Sequence, residues 1–114
     1  MTNLQWSIIE ADLDPVLGSE QKGHRPVLII SNEEYNRAMP NVTIVPLSST
    51  LRHLYPSEVR LRQAQAGQPL ESIIMTHQIR TISKQRLGKT LGHLDELEIR
   101  QEVIEAVKEH LDID

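Results

Sequence analysis

Apolar positions along the chain fall into short runs separated by turn signals. Residues 6–12 mix β-branched and apolar types (Trp6, Ile8, Ile9, Ala11) and stop at Asp14-Pro15, which predicts a strand closed by a turn. Pro26-Val27-Leu28-Ile29-Ile30-Ser31 is nearly continuous in apolar residues, the pattern of a strand buried on both faces, with Pro26 at its first position, where a missing N–H is tolerated. Ser31-Asn32-Glu33-Glu34 predicts a capped helical turn. Val42 to Leu47 predicts a further strand, in which Pro46 signals an edge or a bulge. Val59-Arg60-Leu61-Arg62 alternates strictly, so one of its faces is wet. Residues 63–68, with Gly67, read as a turn. Ser72–Thr76 and Gln78–Ile82 read as two more strands, and Ser83–Arg86 as one helical turn ended by Gly88.

The closing segment has a different period. Asp95 and Glu98 have the spacing of a capping box, and Leu97, Val103, Ile104, Val107 and Leu111 then fall on one face with acids opposite, which predicts a C-terminal helix lying across a sheet. Five to seven short strands and one terminal helix predict a small, mainly-β barrel. With 114 residues and no repeat, low-complexity segment or linker, residues 1–114 are expected to form one domain.

Composition narrows the classes. Apolar residues make up 39% and charged residues 25%, a balance that suits a folded soluble chain. No apolar run approaches the roughly 20 residues needed to span a bilayer, and the start has no basic and apolar leader pattern. There are no cysteines, which excludes disulfides, thiol catalysis and Cys-ligated metal and agrees with a cytoplasmic location. Charge is uneven: −4 over residues 1–21, +6 over 22–94 and −6 over 95–114. The middle can therefore present a basic surface to a polyanion although the net charge is −4.

Most catalytic patterns are missing. The five histidines show no metal-binding spacing, and no metal or cofactor is expected. Gly18 and Gly23 flank a polar loop that lacks the Gly-Lys-Ser/Thr end of a P-loop, and no Gly-x-Ser-x-Gly elbow occurs. The informative stretch runs from Asp14 to Pro26. It is long for a connection in a small domain, and it ends in Arg25 at the entry to a rigid strand. Ser48-Ser49-Thr50 closes the next strand. If the two strands pair, hydroxyls and a guanidinium converge on one phosphate; the plainer alternative for Arg25 is a surface ion pair with Glu20.

Asp12-Leu13-Asp14-Pro15, then Gly18-Ser19-Glu20-Gln21-x-Gly23-His24-Arg25-Pro26 and Val27 to Asn32, resemble the signature of the MazF/PemK toxin family. Val45-Pro46-Leu47-Ser48-Ser49-Thr50 resembles its second block, and Gln78-Ile79-Arg80-Thr81-Ile82 with Ser83 to Leu87 its third. The resemblance implies an SH3-like barrel of the MazF/PemK/CcdB kind with helical additions, assembled as a homodimer. It implies a toxin of a type II toxin–antitoxin pair: a sequence-specific, metal-independent endoribonuclease that cleaves single-stranded RNA. Cleavage proceeds by 2′-OH attack and leaves 2′,3′-cyclic phosphate and 5′-OH ends; DNA, lacking the 2′-OH, is no substrate. The implied partner is a MazE-like antitoxin peptide.

By the same resemblance Arg25 is the catalytic arginine, and Ser48 stands where the family has a catalytic threonine. Glu20, Gln21 and His24 belong to the loop around the scissile nucleotide, Ser49 sits beside Ser48, and Gln78 is near the RNA groove. Arg25 is too weakly acidic to act as a base, so Glu20 or His24 is expected to take the 2′-OH proton. His24 also reads simply as a solvent-facing loop residue. One departure stands out. Gln5-Trp6-Ser7 occupies the place of the family's Arg-Gly-Asp-like opening, so a glycine is replaced by the chain's only Trp, for which packing in the core or at an edge is expected. With Ser48, this departure keeps open a second reading, a catalytically silent SH3-like module that binds an antitoxin-like peptide or RNA.

Overall fold

The computed structural model describes residues 3–50 and 52–114. It contains seven strands, β1 (Ser7–Asp12), β2 (His24–Ile29), β3 (Asn41–Ser48), β4 (Glu58–Leu61), β5 (Ser72–Met75), β6 (Arg80–Ser83) and β7 (Leu87–His93), and two helices, α1 (Glu33–Ala38) and α2 (Leu97–Leu111). Three short 3-10 turns lie at Gln65–Gly67, Thr76–Gln78 and Lys84–Arg86. The strands form one antiparallel array in the order β4-β5-β3-β2-β1-β7, with β6 beside β3. Among the described residues no pairing joins β4 to β7, so the barrel is open there, and α2 packs across β4 and the Thr76–Gln78 turn. Among the described residues no helix is long and apolar enough to cross a membrane.

The apolar runs are buried on both faces because two cores flank the sheet. Ile8, Leu28, Val45 and Leu47 face one core, together with Val59, Leu61, Ile74 and residues of α2. Ile9, Ala11, Val27, Ile29, Val42 and Ile44 face the other, with Leu13 and Ile82. Successive residues of one strand thus enter opposite cores, which explains the absence of apolar/polar alternation. Helix α1 begins as expected: Asn32 is its N-cap, and its side chain accepts from the Tyr35 N–H at 2.8 Å.

Several expectations need correction. Pro46 is neither at an edge nor in a bulge; β3 is central. Residues 41–44 of β3 pair with β6, residues 47–48 pair with β5, and Val45-Pro46 lies at the changeover, where the missing N–H leaves no ladder bond broken on that side. Strand β2 begins at His24, two residues before Pro26, and pairing with β3 starts only at Val27. Gln78 lies in a 3-10 turn and not in a strand. The terminal helix is not capped by Asp95 and Glu98. Glu96 is its N-cap residue without a side-chain cap bond, and Asp95 instead meets His93 Nδ1 at 2.7 Å and Arg100 at 3.7 Å. Its inner face is Ile99, Val103 and Ala106, while Leu97, Ile104 and Leu111 are exposed.

Trp6 adopts φ 70°, the left-handed region that costs a side-chain-bearing residue about 1–2 kcal/mol. Its N–H donates to Ile29 O and its carbonyl accepts from Leu94 N, both at 2.7 Å. The ring packs on the α2-side core, with the Arg100 guanidinium 5.3 Å from its centroid. The expectation that it packs is met, and the glycine-like backbone conformation is retained beneath it.

Candidate active site

Register carries the two chemical groups to the same end of the sheet. In the β2–β3 pair Val27 faces Pro46, and the same register continued two residues sets Arg25 opposite Ser48. Both residues are half-buried, at the end of the sheet where the strands separate into loops. Arg25 Nε donates to Lys22 O at 2.9 Å, which fixes the root of the guanidinium against the β1–β2 loop. Among the described residues Arg25 forms no ion pair, so the alternative of a bridge to Glu20 is not realised.

Ser48 Oγ accepts from Thr50 N at 3.2 Å. Its own hydroxyl proton is then left to donate, the polarity needed to meet a phosphate oxygen. Ser49 is exposed beside it, at the rim of a depression formed with Pro26, Gln68, Pro69, Leu70 and Ser72.

The β1–β2 loop places the remaining candidates at different depths. The Glu20 carboxylate is exposed, and its Oε1 accepts from Leu17 N at 2.7 Å, closing a turn within the loop. His24 is exposed at the first position of β2, opposite Asp12. Gln21 is half-buried, and its Oε1 is shut off from solvent with no partner among the described residues. Gln78 is half-buried in a turn that packs against β3 on the side away from β2. The structure thus places Arg25, Ser48 and Ser49 at one end of the adjacent strands β2 and β3, hangs Glu20, Gln21 and His24 from the loop that enters β2, and sets Gln78 on the opposite flank of β3.

Sequence reasoning missed the groups that hold these segments. Arg86 Nη1 donates to the carbonyls of Asp12 (3.0 Å) and Asp14, and Arg80 Nη1 to that of Leu13 (3.3 Å), pinning the base of the β1–β2 loop. Asp14 Oδ1 accepts from Gly23 N at 3.1 Å and ties the two ends of the loop together. On the other side the Glu58 side chain is fully buried. Arg52 donates to it from both Nη atoms at 2.7 and 2.8 Å, Tyr55 N donates at 2.8 Å, and His77 Nε2 lies 2.9 Å from Oε2. Burial works to raise the pKa of this carboxyl, but Arg52, the Tyr55 N–H and His77 outweigh it and hold the group at about 2. The only local signal for this cluster was an arginine six residues before a glutamate at a strand start.

The sequence and the fold match known proteins. The family described as PemK-like, MazF-like toxin of type II toxin–antitoxin system matches residues 4–112. Endoribonuclease EndoA of Bacillus subtilis is 40% identical over 99 residues, which cover 86% of this chain and 84% of that protein. Endoribonuclease MazF9 of Mycobacterium tuberculosis is 33% identical over 111 residues, covering 93% of each. Among solved structures, a mycobacterial endoribonuclease in complex with its cognate antitoxin superposes with a TM-score of 0.80 at 26% identity, covering 99% of this chain and 98% of that one. The Mycobacterium tuberculosis toxin MazF-mt6 gives a TM-score of 0.78 at 30% identity, over 95% of this chain and 98% of that one.

Proposed function

Because the chain belongs to the family of PemK-like, MazF-like toxins of type II toxin–antitoxin systems, we propose that the Arg25–Ser48 pair is the catalytic centre of a ribonuclease. The protein is an endoribonuclease toxin that cleaves single-stranded RNA at specific sequences. The observation that supports the site assignment is that Arg25 near the start of β2 and Ser48 at the end of β3 each lie two residues beyond the paired Val27 and Pro46, at the same end of two adjacent strands.

The ribose 2′-oxygen attacks the adjacent phosphorus as its proton leaves. The P–O5′ bond breaks, and the products are a 2′,3′-cyclic phosphate and a 5′-OH. Arg25 stays protonated throughout, so it stabilises charge on the pentacoordinate phosphate with its N–H fork and hydrogen-bonds the departing O5′, which takes its proton from solvent water. Ser48 donates its hydroxyl to a non-bridging oxygen. Glu20 takes the 2′-OH proton through Oε2, since Oε1 is spent on Leu17 N, and His24 stands at the same loop as a second acceptor. Gln21, Ser49 and Gln78 contact the RNA on either side. Every role falls to a side chain, so cleavage is expected to need no metal.

Residues 1–114 act as one toxin domain, paired as a homodimer in the cytoplasm. A MazE-like antitoxin peptide, acidic or apolar, covers the same groove; the +6 region between residues 22 and 94 suits both polyanions. Incubating the protein with single-stranded RNA in EDTA tests the reading. Fragments with cyclic phosphate ends support it. Intact RNA would favour the silent binding module, whose supporting observation is the bulky Trp6 in a left-handed position at the barrel end.

A further inference from the structure

We propose that Glu58 is a positioning residue of the RNA site, one buried carboxylate that ties the β3–β4 connection to the turn carrying Gln78. The proposal rests on the endoribonuclease reading and adds to it a residue outside the Arg25–Ser48 pair. The β3–β4 connection leaves β3 directly after Ser48, and Arg52 and Tyr55 within it bond to Glu58. His77, which precedes Gln78 in the 3-10 turn, meets the same carboxylate from the other side. Four contacts fill the acceptor capacity of the two oxygens. The two segments are also joined alongside: Glu58 faces Met75 in the β4–β5 ladder, and the Thr76 hydroxyl donates to Ser57 O.

A buried ion cluster of this kind is no more stabilising than apolar packing of the same volume. What it adds here is geometry. Both clasped segments carry surface groups: Tyr55 is 59% exposed, with the Arg52 guanidinium 4.2 Å from its ring centroid, and Gln78 is half-buried. Neutralising Glu58 while keeping its volume should loosen both flanks at once and leave the Arg25–Ser48 register in place.

The test is steady-state cleavage of a single-stranded RNA with mapped cut sites by the full chain, comparing wild type, Glu58→Gln, His77→Gln and the double variant, with circular dichroism to confirm folding. Glu58→Gln is expected to raise KM about tenfold, to change kcat by less than about threefold, and to admit cut sites that the wild type ignores. His77→Gln should shift KM the same way by less, and the double variant should be no worse than Glu58→Gln, because both substitutions act through one carboxylate. A wild-type KM and cut-site pattern in Glu58→Gln, or a loss confined to kcat, overturns the proposal. If Glu58→Gln does not fold, His77→Gln decides, and an unchanged KM and pattern there overturns it equally. Wild type that leaves RNA intact defeats the nuclease reading itself, whereas wild type that cleaves beside an indifferent Glu58→Gln defeats the positioning alone.

Discussion

The β1–β2 connection (residues 13–23) and the β3–β4 connection (residues 49–57) flank the same pair of groups but are fastened by different forces. The first is anchored at its base, where Leu13 is fully buried and Arg80 and Arg86 hold three carbonyls. Beyond that it is held by short-range bonds among its own exposed residues, Glu20 to Leu17 and Asp14 to Gly23, and Leu17 at its tip is 82% exposed. The second is held by a charged group inside the protein, Glu58, whose contacts come from residues 52, 55 and 77. Exposed pairs contribute little to stability, and breaking a buried one costs several kcal/mol. One flank of the site is therefore fixed only at its root, while the other is tied to a buried carboxylate through Arg52 and Tyr55.

Substitutions can break this contrast, and the largest effect belongs where the two flanks meet. Arg25→Ala should lower kcat by at least about 10³-fold, with an unchanged circular dichroism spectrum and an unchanged elution volume for the dimer. Folding stability separates the flanks next. Glu58→Ala should clearly lower the urea midpoint, because it leaves Arg52, the Tyr55 N–H and His77 without their shared acceptor, and Glu20→Ala should stay within about 0.5 kcal/mol while cutting kcat. Equal stability losses at the two positions would erase the distinction.

Ser48→Ala should reduce kcat about 10²-fold, and Ser48→Thr, which keeps the hydroxyl and stiffens χ1, should remain within about threefold of wild type. Acid gives the gentlest test. Glu58 is held at about 2 in the folded chain against an ordinary 4.5, so as pH falls the unfolded chain takes up the proton first. The stabilisation is complete above pH 4.5 and drains away as pH falls toward 2. Urea midpoints measured across that window should fall for wild type and flatten in Glu58→Gln.

The sheet was legible in the sequence wherever burial alone shapes a strand: the Val27–Ile30 run and the Val59–Leu61 alternation announce their elements directly. Strand β7 was hidden because its residues carry no such pattern. Gly88, Lys89 and Thr90 are exposed, and Gly92 is required by the Ala66 carbonyl, which would lie 2.2 Å from an added Cβ. This segment becomes a strand only because the free edge of β1 needs a partner. On α2 two apolar stripes compete at helical spacing, and tertiary packing selects Ile99, Val103 and Ala106 over Leu97, Ile104 and Leu111. Arg25 and Ser48 could be proposed because their motifs are contiguous. The Glu58 cluster could not, since its members are gathered from positions 52, 58 and 77, and only the folded register brings them together.

Trp6 is the sole indole of the chain, wedged between the β1–β2 edge and the inner side of α2 beneath Arg100. Excitation at the red edge of the indole band, beyond the absorption of Tyr35 and Tyr55, therefore interrogates this one seam of the molecule. A bound peptide or RNA that lifts the terminal helix should shift the emission to the red, whereas a ligand confined to the Arg25 end should leave its colour unchanged, so unlabelled protein carries its own optical gauge of which end is engaged.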